Sequence, residues 1–222
     1  MIFTIAGREL RSLFLSPLAW AILAVVQFIL AYLFLSQIES WMLLQPRLAA
    51  LEGAPGVADI IIAPLFADAA VILLLITPLV TMRVLSEERR NRTLSLLFSA
   101  PISMTEIVIG KYLGVLAFFL ILLALLALMP LSLAAGTDLD FGKLAACLLG
   151  LTLVLAAFAA IGLFMSALTA QPTVAAVTTF GLLLLLWILD WAGDAGNHTG
   201  TLGPIPQSLE QYRQVLRPCF GG

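Results

Sequence analysis

Residues 107–135, IVIGKYLGVLAFFLILLALLALMPLSLAA, decide the fold, because Lys111 is the only charged residue among them. The run exceeds the roughly 20 residues that a helix needs to cross about 30 Å of hydrocarbon. Apolar and polar residues do not alternate along it, which argues against a strand of a membrane barrel. Backbone groups in lipid must be paired within their own segment, so the run predicts a membrane-spanning helix.

Four further apolar runs predict membrane spans at residues 17–36, 60–82, 143–168 and 173–191. The whole chain is 62% hydrophobic and 11% charged, with a mean hydropathy of +1.10. That composition lies outside the range of soluble domains. We therefore expect an all-α, polytopic membrane helix bundle of five spans within residues 1–195. Residues 196–222, which are rich in Gly, Pro and polar residues, are expected to form an irregular tail.

Two sequence signals mark where spans begin. Ser16-Pro17 places an N-cap residue before a proline at the first helical position. Ser103-Met104-Thr105-Glu106 is a capping box, so the third spanning helix should begin near Met104.

Residues 1–16 have the pattern of an amphipathic helix. Arg8 and Arg11 fall on its polar face, where they would meet lipid headgroups. We expect an interfacial helix lying in the membrane plane; the alternative is a plain cytoplasmic extension of the first span. The predicted apolar face consists of Ile2, Phe3, Ala6, Leu10, Leu13 and Phe14.

Lysine and arginine are unequally divided between the two sides of the predicted bundle. Positive residues in short loops favour the cytoplasmic side. This rule predicts a multi-pass membrane protein with a cytoplasmic N-terminus and the end of the fifth span outside. Arg47 and Lys143 lie on the poorer side, and the richer side carries Arg8, Arg11, Arg83, Arg89, Arg90, Arg92 and Lys111.

The loop between spans two and three is the most densely charged part of the chain. Ser86 could cap a short helix whose first turn is acidic, which suits the helix dipole. Pro101 would end this helix before the next begins. The loop could equally be a simple basic topology signal, although its mixed charge suits a protein partner. The predicted helix contains Glu87, Glu88, Arg89, Arg90, Arg92, Thr93, Leu94, Leu97 and Phe98.

This loop, with the start of the next span, resembles the cytoplasmic region of type-2 ABC transporter permeases. The shared features are the acidic–basic cluster, Thr93-Leu94, Pro101-Ile102-Ser103 and Gly110-Lys111-Tyr112. The opening AGRELRSLFLSPLAW, residues 6–20, is similar to the family's N-terminal interfacial helix. Among subfamilies the chain looks closest to permeases of gliding-motility-type ABC systems, and the resemblance covers about residues 1–195.

The resemblance implies a function. Such permeases have six spans, pair as two permease chains, as a homo- or heterodimer, and export a substrate with ATP hydrolysed by a separate ATP-binding subunit. The helix after span two would be the cytoplasmic coupling helix that docks on that subunit. This chain departs from the pattern after its fifth span, so a truncated or non-transporting membrane anchor that recruits a cytoplasmic partner is the alternative.

Few other residues indicate chemistry. The sequence lacks a G-x-x-x-x-G-K-[ST] motif and has a single histidine, so we expect no enzyme activity and no catalytic, metal or cofactor site. A membrane bundle of this kind predicts lipid contacts and no nucleic-acid partner. Asp68 and Gln27 are intramembrane polar residues, and Asp68 should lie at the interface or hydrogen-bond between helices. Gly110-x-x-x-Gly114 should let another helix approach closely.

Overall fold

The computed structural model describes residues 2–48, 58–84, 86, 104–133 and 140–200. Within those ranges every regular element is a helix, and the residues between helices form turns, bends or irregular segments. Five helices are long and apolar enough to cross a membrane. The elements are α1 (Ile2–Leu15), α2 (Pro17–Leu48), a π-helical turn (Ala58–Ile62), α3 (Ala63–Thr81), α4 (Met104–Leu133), α5 (Phe141–Leu168) and α6 (Pro172–Gly200).

The helices begin where their local signals predict. α2 starts at Pro17 and α4 starts at Met104. α5 starts after Asp140, whose carboxylate accepts hydrogen bonds from the backbone N–H groups of Gly142 at 3.0 Å and Lys143 at 3.2 Å. That carboxylate satisfies donors that a helix N-terminus leaves without an internal partner.

Two helices are longer than the spans predicted for them. α2 continues to Leu48 rather than ending at residue 36, and α6 continues to Gly200 rather than ending near Trp191. Residues 196–200, which were assigned to the irregular tail, are therefore helical, while residues 201–222 lie outside the described residues. The physical reason is that polarity ends a hydrocarbon span but not a helix, since water tolerates a helical backbone.

The hydrophobic core is centred on α4. Phe118, Phe119, Leu122 and Leu126 of this helix are fully buried. They pack in one cluster with buried residues of α2, α3 and α5. The chain divides into two compact units, Met1–Leu183 and Leu184–Gly222. The first contains this core, and the second begins within α6; the predicted boundary after residue 195 stays a prediction.

α1 is helical as predicted, and it packs along α4. Gly110 of α4 faces Ile5, Gly114 faces Glu9, and the Phe14 and Phe118 rings lie 5.8 Å apart. The contacts advance together along both helices, so α1 runs alongside α4; its position relative to the membrane plane stays a prediction. The two helices can approach closely at Gly110 and Gly114 because neither glycine carries a side chain.

One residue of the predicted apolar face points away from α4. Phe3, placed on the predicted apolar face, is 86% exposed. Ile5 and Glu9 take the inward positions next to the two glycines of α4. Arg8 and Arg11 are exposed on the opposite side of the helix. Their contact with headgroups stays a prediction.

Candidate functional site at the base of the central loop

The central loop, residues 85–103, joins α3 to α4. Of this loop the structure describes Ser86 alone. The site is therefore built from the residues at its two ends and the helices around them. The predicted coupling residues Glu87, Glu88, Arg89, Arg90, Arg92, Thr93, Leu94, Leu97, Phe98 and Pro101 all lie outside the described residues.

A buried lysine joins three parts of the chain at this point. The Nζ of Lys111 lies 3.2 Å from Oε2 of Glu9 in α1 and donates to the backbone oxygen of Val84 at 2.9 Å. The Lys111 side chain is 4% exposed and that of Glu9 is 14% exposed. A cation this deeply buried needs a partner, because the protein interior does not replace its lost hydration. The pair therefore ties α1 to α4 and to the end of α3.

Two serines join the base of the loop to α5. The Ser86 backbone N–H donates to Oγ of Ser166 at 3.1 Å, and that hydroxyl donates to the Met82 carbonyl oxygen at 3.3 Å. The Ser86 hydroxyl also donates to the Met82 oxygen. Both serines are fully buried. They provide partners for backbone groups at the end of α3, where a helix leaves its last carbonyls unsatisfied.

Two further contacts fix α5 against its neighbours. The hydroxyl of Tyr112 in α4 donates to the Ala156 carbonyl oxygen at 3.1 Å. Gly162 faces α3 so closely that an added Cβ would lie 2.8 Å from Cβ of Thr81. Close packing of this kind transmits displacement, since well-packed interiors are hard to compress.

These contacts define one unit, which we call the junction: Glu9, Met82, Val84, Ser86, Lys111, Tyr112 and Ser166. Through it, α1, α3, α4 and α5 are all bonded to the base of the central loop. Each part of the sequence motif Gly110-Lys111-Tyr112 has a structural role. Gly110 allows α1 to approach closely, Lys111 donates hydrogen bonds to Glu9 and Val84, and Tyr112 donates one to α5.

Sequence reasoning missed Glu9, and it read Lys111 as a topology signal and as part of the family motif. A signal for Glu9 was present. It lies three residues after Ala6 and four before Leu13, on the apolar side of α1. A single acid on an apolar helix face calls for a buried cation, and Lys111 is the one charged residue in the third apolar run.

The intramembrane polar residues lie outside the junction. Asp68 accepts a hydrogen bond from Nε2 of Gln37 at 3.1 Å, which is an inter-helix bond of the kind its position led us to expect. Gln27 donates to the Leu125 carbonyl oxygen at 3.2 Å. Both bonds join α2 to a neighbouring span. Among the described residues, the side-chain oxygens of Gln27 and Gln37 are buried without a hydrogen-bond partner.

Comparison with known proteins gives the family. The family model described as "ABC-2 family transporter protein" matches residues 3–217. The match extends beyond residue 195, to which the resemblance in sequence was traced, and so includes a region taken as departing from the family. No curated protein matches the chain. Since the match covers nearly the whole sequence, the chain belongs to the ABC-2 transporter family and is a multi-pass membrane permease component of an ABC transporter.

Proposed function

We propose that this permease subunit couples ATP hydrolysis by a separate ATP-binding subunit to export of a substrate across the bacterial inner membrane. The N-terminus and the central loop lie in the cytoplasm, and a second permease chain completes the membrane part. Permeases of the ABC-2 family normally work with a separate ATP-binding subunit. Within the family, we propose the gliding-motility-type subfamily, to which the chain looks closest in sequence.

The junction is the observation that carries this proposal. Val84 and Ser86 stand at the base of the central loop, and both are bonded to other helices through Lys111 and Ser166. A partner that moved the loop would therefore move the ends of α3, α4 and α5 together. A loop serving only as a topology signal has no need of a buried lysine and two buried serines at its base.

The central loop supplies the docking surface. Amphipathic helices bind partner grooves through apolar residues spaced three and four apart. Leu94, Leu97 and Phe98 have this spacing. The mixed charges from Glu87 to Arg92 would set the register against the ATP-binding subunit.

The test is copurification of the ATP-binding subunit with a Leu97→Ala, Phe98→Ala double variant. Loss of two buried anchors should weaken assembly by roughly 2 kcal/mol or more, about thirtyfold. The matched control is Leu128→Ala with Leu131→Ala, two residues near the other end of α4 that are 59% and 48% exposed. The docking assignment is wrong if both variants retain the ATP-binding subunit as the unchanged protein does.

Two further measurements test the remaining parts of the proposal. ATP hydrolysis by the partner should rise when the permease is present, whereas a membrane anchor would recruit the partner without changing its rate. A reporter that works only outside the cytoplasm should be active when it is fused to Gly222. Activity of a cytoplasmic reporter at that position would contradict five spans in this orientation.

A further inference from the structure

A cleft opens beside the junction, where α1, the start of α2 and the end of α3 meet. Its volume is about 150 Å³. We call it the α1–α3 cleft. One part of its lining is polar and includes Ser12, Ser16 and Arg83; the other part is apolar and includes Leu18, Ala19 and Leu79. Two kinds of surface in one cleft indicate an amphipathic ligand.

The charges of the cleft favour an anion. Arg83 is exposed at the cleft, and Ser12 is exposed next to Arg11 on α1. Arg83 is already engaged within the protein, but a guanidinium has five N–H donors and can bond a phosphate as well. The carboxylate of Glu9 also lines the cleft, and its charge is balanced by Lys111 at 3.2 Å.

The start of α2 adds to the positive potential. Leu18 and Ala19, in its first turn, line the cleft. The N-terminus of a long helix carries a partial positive charge, and its first N–H groups favour anions. The Ser16 hydroxyl caps this end by accepting from the Leu18 N–H at 3.4 Å; a hydroxyl also carries one donor of its own.

The apolar part of the cleft is only partly covered by protein. Leu18 is 37% exposed and Leu79 is 42% exposed, whereas Ala19 behind them is 5% exposed. Both exposed leucines belong to membrane spans. An acyl chain running along the bundle would cover them.

We propose that the α1–α3 cleft binds an anionic phospholipid, with its phosphate at Arg83, Ser12 and Ser16 and an acyl chain against Leu18 and Leu79. Given the orientation proposed above, this lipid belongs to the cytoplasmic leaflet. It fills the space between the helix held by Lys111 and the end of α3, so it stabilises the junction next to Val84.

Lipid retention tests this site. The purified full chain is equilibrated with mixed micelles of phosphatidylglycerol and phosphatidylcholine of identical acyl chains, and bound lipid is counted by native mass spectrometry. Phosphatidylglycerol should be retained in preference. Arg83→Gln should lower its retention roughly tenfold or more, because a charge-assisted hydrogen bond is lost. Arg83→Lys should keep part of the preference, since the charge remains.

Matched variants separate this cleft from general attraction to anionic lipid. Arg47→Gln removes an arginine from the other side of the predicted membrane and should leave the preference unchanged. Ala19→Leu keeps every charge but fills the cleft, and it should lower phosphatidylglycerol retention as Arg83→Gln does. Each variant is first checked for an unchanged thermal midpoint in detergent without added lipid, so that misfolding is not read as lost binding.

Competition experiments identify the source of the phosphate. Inorganic phosphate and glycerol 3-phosphate should not compete with phosphatidylglycerol, because they lack the acyl chain; effective competition would show a soluble phosphate site instead. Equal retention of the two lipids, or equal effects of Arg83→Gln and Arg47→Gln, would overturn the proposal. Reporter fusions test the orientation separately, so a wrong topology and a wrong lipid site give different results.

Discussion

Gly162 in α5 and Gly181 in α6 are both interior glycines of membrane-length helices, yet their surroundings differ. A Cβ at Gly162 would meet Thr81 at 2.8 Å or less, whereas a Cβ at Gly181 would meet nothing within 4 Å. The helices themselves have similar hydropathy, 2.6 and 2.1. Composition therefore places both in the membrane but does not distinguish a packed helix face from an open one.

The same contrast separates the junction from most of α6. Four polar residues near the junction, Thr81, Ser86, Lys111 and Ser166, are at most 3% exposed. In α6 the residues Val177 and Leu185 are 70% and 52% exposed, respectively. Close backbone approach and buried hydrogen bonds between helices, rather than apolar area, distinguish the junction from this part of α6. The following predictions test that difference, from the largest expected effect to the smallest.

Lys111→Met should cause the largest loss of stability. It leaves the Glu9 carboxylate and the Val84 oxygen without their cation, and breaking a buried pair costs about 3–5 kcal/mol. The free energy of unfolding in detergent is the measurement. Lys143→Met, at an exposed lysine, should change it by less than about 0.5 kcal/mol. Equal losses of unfolding free energy in Lys111→Met and Lys143→Met would contradict this prediction.

A double substitution sharpens this result. Adding Glu9→Gln to Lys111→Met removes the unbalanced charge, so the double variant should be more stable than Lys111→Met alone. A double variant whose loss equals the sum of the two single losses would show that Glu9 and Lys111 act independently.

Gly162→Ala should destabilise the protein, whereas Gly181→Ala should not. The new methyl group at Gly162 overlaps Thr81, and overpacking costs about 1–3 kcal/mol. At Gly181 the space is open, and alanine is the better helix former by up to about 1 kcal/mol. Thermal unfolding in detergent measures both. A lower unfolding temperature for Gly162→Ala and an unchanged or higher one for Gly181→Ala would support the contrast. Changes of the same sign in both variants would refute it.

Ser166→Ala should have a moderate effect. It leaves the buried N–H of Ser86 without its acceptor, at a cost of about 1–3 kcal/mol. Ser132→Ala, which removes an exposed hydroxyl bonded to Met129, is the control and should cost less than about 0.5 kcal/mol. The same variants can be assayed for permease-stimulated ATP hydrolysis. Ser166→Ala should lower that stimulation, while Ser132→Ala should leave it unchanged.

The smallest effect is expected at the hydrogen bond between Gln37 and Asp68. A double-mutant cycle with Gln37→Ala and Asp68→Ala should give a coupling of about 0.6 kcal/mol, which is typical of polar pairs in membrane helices. The coupling is calculated from the free energies of unfolding of the unchanged protein, the two single variants and the double variant. A coupling as large as that of Glu9 with Lys111 would remove the distinction between the junction and the rest of the bundle.

The fold could be predicted from sequence because its determinants are local. Apolar length defined five spans, and the capping box placed the start of α4 at Met104. The ends of α2 and α6 were wrong because a helix can continue past the hydrocarbon with polar residues that end a hydropathy run. Asp68 was recognised since a lone acid in an apolar run needs a bond to another helix.

The junction could be predicted only in part. The sequence motif around Gly110 and Lys111 was visible, but its purpose depends on which helix approaches it. Glu9 and Lys111 are 102 residues apart in the chain. No local sequence signal indicates that α1 packs along α4. An amphipathic pattern fits a helix lying flat in the interface equally well. The helicity of α1 could therefore be predicted from the sequence, but its packing along α4 could not.

The distance in sequence between Glu9 and Lys111 has a consequence for how the protein is made. Glu9 of α1 leaves the ribosome 102 residues before Lys111, the residue that balances its charge. At ~5–20 residues per second, it waits roughly 5–20 s without that partner. During this interval Arg8 and Arg11 can keep the helix at the lipid headgroups, since both lie on the side turned away from α4. We therefore predict that the amphipathic pattern serves the nascent chain first and that the ion pair holds α1 once the third span has been inserted.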